Sequence, residues 1–239
     1  MEHLAATLSR IPGVIAVTLG GSRAGNRARA DSDWDFGLYY RGTLDASHIR
    51  ALGFTGHVVA PGEWGRLVNG GAWLTIEGRR VDLLYRDLGF VEHWIAEAAA
   101  GRYELDQVEG YVAGMATYVL AGELALGKVL VGALPRPDFP DALRRSAPLR
   151  WYGSGDFSLS IAETLALRAD TVSCAGLLAK AAIATAQGRL AARGEWALNE
   201  KGIVSRAGLD EAAAILAALG QAPTELVPAV AEMRAALHT

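Results

Sequence analysis

The sequence predicts an α/β region, a mixed small sheet with flanking helices, followed by an all-α helical region. Over residues 1–104, short apolar and β-branched runs alternate with turn residues, and helical spacing occurs between them. After about Glu109 the strand pattern largely ends and alanine-rich helical periodicity replaces it. A chain of 239 residues is long enough for two modest domains. We therefore predict domains at 1–104 and 105–239.

The first region contains four predicted strands and two predicted helices. The strands are apolar runs bounded by turn residues, namely Val14–Leu19, Asp35–Tyr40, Trp73–Ile76 and Val81–Tyr85. The last two flank Gly78 and predict a hairpin. Helical spacing predicts helices over Leu4–Ile11 and Leu88–Ala100, the second with Asp87 as its N-cap and Gly101 just beyond its end.

The second region contains predicted helices that share apolar residues at helical spacing: Ile161–Ala169, Thr171–Arg193, Asp210–Leu219 and Thr224–Leu237. Asp170 is placed to cap the start of the longest helix, and Gly194 is placed to end it. Four prolines between residues 135 and 148 predict a loop-rich stretch before these helices. A glycine-rich loop is predicted next, around Trp151.

Composition excludes several classes of protein. Lys plus Arg is 23 and Asp plus Glu is 26, a net charge of −3, and neither region has a basic excess that would hold a long nucleic acid. We see neither a secretory signal nor an apolar run of about 18 residues, so we expect no membrane span. The single cysteine, Cys174, lies in a helical pattern and predicts a buried, reduced thiol. We therefore expect a cytoplasmic protein.

A glycine-rich loop follows the first strand. Gly20, Gly21 and Ser22 have small or absent side chains, so successive backbone N–H groups can approach a phosphate there. A short helix that begins in this loop would direct its positive end at the same anion. Three arginines, Arg23, Arg27 and Arg29, make the following segment basic and favour a polyphosphate.

Carboxylates follow this loop at strand spacing. Asp33 and Asp35 lie two residues apart at the head of the second strand, so their side chains share one face. Two adjacent carboxylates repel each other unless a cation lies between them, and their hard oxygen ligands suit Mg²⁺ shared with phosphates. We expect a third carboxylate on an adjacent strand, and Asp82 fits best because its apolar neighbours make an unpartnered acid costly there.

Alternatives to this metal site remain open from the residues alone. The Asp33 to Asp35 segment could be a solvated turn. Asp82 could be an edge-strand acid paired with Arg79 or Arg80, and Glu77 is its rival as the third carboxylate. Arg23 could be solvated instead of contacting a phosphate.

Together, the Gly20-Gly21-Ser22 loop, the Asp33-x-Asp35 pair and Asp82 resemble the nucleotidyltransferase superfamily related to DNA polymerase β. The resemblance covers roughly residues 14–86. With a helical domain after it, this pattern is most similar to the antibiotic nucleotidyltransferases that adenylylate aminoglycosides or lincosamides. The resemblance implies that Asp33 and Asp35 hold Mg²⁺ and that Asp82 is the third carboxylate and general base. It also implies that Gly21, Ser22 and Arg23 contact the nucleotide phosphates.

The helical region carries a second, shorter resemblance. Residues 194–202, which include Trp196-Ala197, are similar to a stretch that follows a comparable helix in streptomycin/spectinomycin adenylyltransferases. A lysine of that region reaches the triphosphate there, which implies this role for Lys201. In the present chain the lysine follows the tryptophan instead of preceding it. The alternative for Lys201 is a charge at a helix C-terminus.

These observations predict a Mg²⁺-dependent transferase. It would move a nucleoside monophosphate, AMP from ATP in the first instance or from another NTP, to a hydroxyl of a small molecule such as an aminoglycoside or lincosamide. One alternative is adenylylation of a partner protein, as in the minimal nucleotidyltransferase antitoxins. Another is a degenerate nucleotide-binding module without catalysis. The oligomeric state is left open.

Overall fold

The structure, a computed structural model, describes residues 2–25 and 32–239. Two compact units are present. The first comprises Met1–Glu97 and Thr117–Asp138, and the second comprises Ala98–Ala116 and Phe139–Thr239. Because each unit is built from two stretches, the chain passes between them more than once. The division into functional domains at residue 104 stays a prediction.

The helices and strands follow one another along the described chain. The strands are β1 Val14–Leu19, β2 Trp34–Tyr40, β3 Thr55–Val58, β4 Gly71–Ile76, β5 Arg79–Asp87, β6 Leu105–Asp106, β7 Met115–Ala116 and β8 Lys128–Val131. The helices are α1 Glu2–Leu8, α2 Gly21–Ala24, α3 Ser47–Arg50, α4 Gly65–Val68, α5 Leu88–Ala99, α6 Val119–Leu126, α7 Asp141–Leu167, α8 Thr171–Arg193, α9 Ile203–Arg206, α10 Asp210–Ala217 and α11 Pro223–His238.

The first unit is built on a six-stranded mixed sheet in the order β3-β4-β5-β2-β1-β8. β2 and β5 run parallel to each other, whereas the other neighbours are antiparallel. Helices flank this sheet, and the second unit is mainly helical, so the predicted fold class is confirmed. The topology places β2 and β5 in the interior of the sheet, although they are far apart in sequence.

One face of the sheet carries the core of the first unit. Alternate residues of β2, β4 and β5 are buried there, as strand periodicity requires; they are Phe36, Leu38, Tyr40, Ala72, Leu74, Ile76, Val81, Leu83 and Tyr85. The intervening residues therefore lie on the opposite face. This second face is the polar one and contains Asp35 and Asp82.

Strand β8 was not predicted from the sequence. It pairs antiparallel with β1, with Thr18 opposite Val129 and Leu19 opposite Lys128. The segment is only four residues long, lies at the sheet edge, and directly follows helix α6. Such a strand is too short to show a period of its own, so the helical pattern of the preceding residues masked it.

Helix α7 begins at Asp141, well before the predicted start at Ile161, and Pro148 lies inside it. The loop predicted around Trp151 is therefore wrong, and that side chain is fully buried in the helix. Gly155 allows close helix packing, because a Cβ atom there would lie 3.0 Å from Thr185 Oγ1 of α8, whereas a Cβ atom at Gly153 would meet nothing within 4 Å. Close packing thus accounts for Gly155 among the residues that suggested a loop.

Helix α8 has the predicted boundaries. Asp170 accepts a hydrogen bond from the Ser173 backbone N–H at 3.2 Å, and Gly194 ends the helix with φ +72°. Cys174 is buried as expected, and burial raises the pKa of its thiol. Within residues 2–25 and 32–239, no helix has the length and apolar character needed to cross a membrane.

Candidate active site

The site is centred on two aspartates that the sheet aligns. Asp35 and Asp82 are register partners on the parallel strands β2 and β5. Their neighbours Phe36 and Leu83 are buried on the core face, so both carboxylates lie on the polar face. Neighbouring strands are about 4.8 Å apart, and the two side chains are therefore adjacent.

Asp82 occupies an interior strand. β5 lies between β4 and β2, and Trp73 of β4 is the register partner of Asp82 on the side away from Asp35. The alternative that Asp82 is an edge-strand acid is therefore wrong. Glu77, its rival, lies exposed in the turn between β4 and β5.

The glycine loop contacts Asp35 directly. The Gly20 backbone N–H donates to the Asp35 carbonyl at 2.7 Å, which joins the end of β1 to the start of β2. Gly21 has φ +59°, and a Cβ atom there would lie 2.7 Å from Asp35 Cγ and would overlap its Oδ2. A side chain at residue 21 would therefore displace the carboxylate, and only glycine satisfies both requirements. Ser22 follows in α2, beside this contact.

Arg23 connects α2 to the beginning of β2. Its Nε donates to the carbonyls of Ser32 and Asp33 at 3.2 and 3.1 Å, and its Nη2 donates to Ser32 at 2.6 Å. The guanidinium carbon lies 4.3 Å from the Trp34 ring centre. Arg23 thus positions the backbone that carries Asp33. Contact with a phosphate stays a prediction, and Arg27 and Arg29 lie outside the described residues.

Asp33 forms an ion pair with Arg80. Arg80 Nε lies 2.6 Å from Asp33 Oδ1, and the Arg80 side chain is 73% exposed. This oxygen is shielded from solvent and accepts no hydrogen bond of regular geometry. Arg80 therefore supplies positive charge at this oxygen.

The three predicted ligands are thus divided. Asp35 and Asp82 are paired by register, whereas Asp33 is held by Arg80. Over the part of the chain that the structure describes, no group of three His, Cys, Asp or Glu side chains is arranged to hold a metal ion. A third carboxylate ligand would require Asp33 to leave Arg80.

Aromatic side chains adjoin the carboxylates, and sequence reasoning missed them. Trp73 is 56% exposed on the polar face, and the Trp64 ring stacks on it with centroids 4.7 Å apart and an interplanar angle of 28°. His57, the register partner of Trp73 on β3, stacks at 6.3 Å and 27°. The sequence did contain a sign of this position for Trp73. Because Trp73 lies between the core residues Ala72 and Leu74 of a strand, its indole must point to the face opposite the core.

A buried ion pair supports the end of β5 beyond the site. Arg86 donates to both carboxylate oxygens of Glu123 on α6, at 2.6 and 2.7 Å. Tyr39 lies nearby, and its pKa is raised above the usual range, first by burial and then by the Glu123 charge. Such a pair is expensive to break by removing one partner, so it fixes α6 against the sheet.

Lys201 belongs to the second unit. It lies in an exposed turn just before α9, where its backbone N–H donates to Asn199 Oδ1 at 3.0 Å. The α8 helix ends at Arg193, so Lys201 is not a charge at a helix C-terminus. Its role toward a triphosphate stays a prediction.

Comparisons with known proteins find similarity in structure but none in sequence. No family model matches the chain, and no curated protein matches it in sequence. The chain is similar in structure to a nucleotidyltransferase-like protein from Exiguobacterium sibiricum 255-15, with a TM-score of 0.49 and 12% identity. The match covers 100% of this chain and 74% of that chain. A similarity at this level identifies neither a reaction nor a substrate.

Proposed function

We propose that this protein transfers a nucleoside monophosphate from an NTP, with ATP as the expected donor, to a hydroxyl of a small molecule. The observation that carries the proposal is the register pairing of Asp35 with Asp82, beside a glycine loop that contacts Asp35. The pattern of these residues resembles that of the polymerase β-like nucleotidyltransferases, which supports the reaction class. An antibiotic acceptor, an aminoglycoside or a lincosamide, is the first class to test.

The donor set suits Mg²⁺. Two carboxylates on neighbouring strands repel each other unless a cation lies between them, and carboxylate oxygens are the ligands Mg²⁺ prefers. Asp35 and Asp82 would hold the ion, and Asp33 would join them on release from Arg80. When bound, the ion neutralises charge on the phosphates and makes the α-phosphorus a better electrophile.

The other residues of the site bind, orient and accept a proton. The backbone N–H groups of Gly21 and Ser22 bind the phosphates, while the Gly20 N–H and the Arg23 guanidinium keep the loop against the start of β2. An Asp82 oxygen accepts the proton of the acceptor hydroxyl as the hydroxyl oxygen attacks the α-phosphorus. One P–O bond forms to the acceptor, the bond to pyrophosphate breaks, and pyrophosphate leaves with its electron pair.

A second candidate is a nucleotide-binding module without transfer. The ion pair between Arg80 and Asp33 favours it, because Arg80 supplies positive charge at one of the three carboxylates. This candidate keeps the glycine loop as the binding element. The two candidates differ only in whether the bound NTP reacts with an acceptor.

The test is pyrophosphate release from each NTP with Mg²⁺, measured against a panel of hydroxylated small molecules that includes aminoglycosides and lincosamides. We expect release by the unaltered protein and none by Asp35→Asn or Asp82→Asn. Glu77→Gln is the matched control, because Glu77 lies in the hairpin turn next to the site. Full activity of Asp82→Asn together with loss of activity in Glu77→Gln would show that Glu77, and not Asp82, is the third carboxylate and proton acceptor. A thermal shift with Mg-ATP but no release would favour the second candidate.

A further inference from the structure

Register partners form a row across the polar face of the sheet. The row consists of Gly20, which follows β1 and is hydrogen-bonded to Asp35, and of four register partners on β2, β5, β4 and β3, namely Asp35, Asp82, Trp73 and His57. Because neighbouring strands are about 4.8 Å apart, the phosphate loop lies at one end, the carboxylates in the middle, and aromatic rings at the other end. The nucleotide donor of the proposed reaction would therefore bind at the glycine-loop end of the row, and the aromatic end lies on the other side of the carboxylates.

The aromatic end forms a continuous surface. We call His57, Trp64 and Trp73 the aromatic platform; both neighbouring rings stack within 28° of the Trp73 plane. Trp73 remains 56% exposed, although it faces away from an apolar core that could have buried a side chain of its size. Stacked indoles with open surface suit a planar unsaturated ring, which gains both apolar contact and favourable ring geometry.

The charges around the platform are mixed. Arg79 and Arg80 are exposed, but Arg80 is paired with Asp33, and Asp82 is the register partner of Trp73. Charge therefore does not select the ligand, and the flat ring is the feature that the platform would recognise.

From this row we infer that the aromatic platform is the acceptor subsite, and that the acceptor is a hydroxylated molecule with a planar ring. Its ring would stack on Trp73, and a hydroxyl about one ring length away would reach Asp82. This assignment rests on the proposed function for the identity of the reacting hydroxyl. It disfavours acceptors built from saturated rings alone, aminoglycosides among them.

A direct test uses 4-methylumbelliferyl β-D-glucoside, a neutral coumarin ring joined to a sugar with free hydroxyls. Its affinity for the nucleotide-free protein is measured by calorimetry, beside methyl β-D-glucoside, which lacks the ring, and neamine, which is cationic and saturated. We expect the coumarin glycoside to bind at least tenfold more tightly than either. Trp73→Ala should weaken its binding about tenfold, a loss typical of one aromatic stack, and Trp73→Phe should retain most of it.

Phe157→Ala is the matched control, because Phe157 is 69% exposed on α7 and is not part of the platform. It should leave the affinity unchanged. Unaltered binding to Trp73→Ala, equal binding of methyl glucoside, or no binding of the coumarin glycoside would each overturn the inference. Because no nucleotide is present, these outcomes are independent of whether Asp35→Asn abolishes pyrophosphate release, so failure of the subsite and failure of the proposed function are distinguishable.

Discussion

The two faces of the central sheet place opposite demands on successive residues of the same strands. On one face, Phe36 and Leu83 are buried in the core of the first unit. On the other, their neighbours Asp35 and Asp82 lie side by side as like charges. The first face gains free energy from burial, whereas the second carries the charged groups of the proposed site. Substitutions one residue apart should therefore separate stability from activity.

The largest expected effect is on the polar face. Asp35→Asn should lower nucleotidyl transfer by about a thousandfold or more, because it removes a charge proposed to act on the reacting phosphate. The melting temperature of the metal-free protein should change little, because Asp35 lies on the polar face of the sheet and outside the apolar core. Pyrophosphate release and a thermal melt measure the two quantities. A large loss of stability with normal activity per folded molecule would reverse the assignment of the faces.

Phe36→Ala, one residue further along β2, should show the converse. We expect the free energy of unfolding to fall by about 3–5 kcal/mol, as for other buried aromatic residues truncated in a core. Urea unfolding measures the loss, and transfer per folded molecule should remain. Leu149→Ala is the control, because that leucine is exposed on α7 and should change stability by less than about 0.5 kcal/mol.

Gly21→Ala sharpens the comparison at the contact between loop and carboxylate. Gly78 provides a matched control, because its φ of +71° resembles the +59° of Gly21 but a Cβ atom there meets nothing within 4 Å. Gly78→Ala should lose about 1 kcal/mol from backbone strain alone. Gly21→Ala should lose more and should also reduce transfer at least tenfold, because the new Cβ displaces Asp35. Equal effects of the two substitutions would show that the contact is unimportant.

The smallest expected effect concerns Arg80. Arg80→Ala should strengthen Mn²⁺ binding to the nucleotide-free protein by up to about fivefold, because it frees Asp33 from an ion pair whose arginine is 73% exposed and which is therefore of modest strength. Arg79→Ala, which changes the neighbouring exposed arginine, is the control for net charge. Electron paramagnetic resonance of free Mn²⁺ gives the affinities. Equal gains in both variants would mean that charge alone is responsible, and weaker binding in Arg80→Ala would contradict competition for Asp33.

Local patterns in the sequence were sufficient for much of the first unit. Apolar runs bounded by turn residues predicted β1, β2 and the hairpin of β4 and β5. The predicted Asp87 cap of α5 is present, with the Gly89 N–H donating to its Oδ1 at 2.8 Å. The register of Asp35 with Asp82 could not be predicted from one sequence. It depends on a parallel pairing between residues 47 positions apart in the sequence (82 − 35), and no local pattern specifies that pairing.

Tertiary contacts explain what the sequence concealed. The ion pair of Arg80 with Asp33 joins two chain segments, and the stacking of Trp64 on Trp73 joins a loop to a strand. In the second unit, Gly155 indicated a loop but lies in α7 because α8 approaches closely at that point. Glycine serves both purposes, and only the packed structure distinguishes them.

The position of the label after reaction with ATP tests the proposed chemistry most directly. The protein is incubated with Mg²⁺, an active acceptor, and ATP labelled at either the α- or the γ-phosphorus. Nucleotidyl transfer predicts α-label in the acceptor product and γ-label in pyrophosphate, with both signals lost in Asp35→Asn. Transfer of γ-label to the acceptor, or release of γ-label as inorganic phosphate with no α-label in any product, would contradict the proposed reaction.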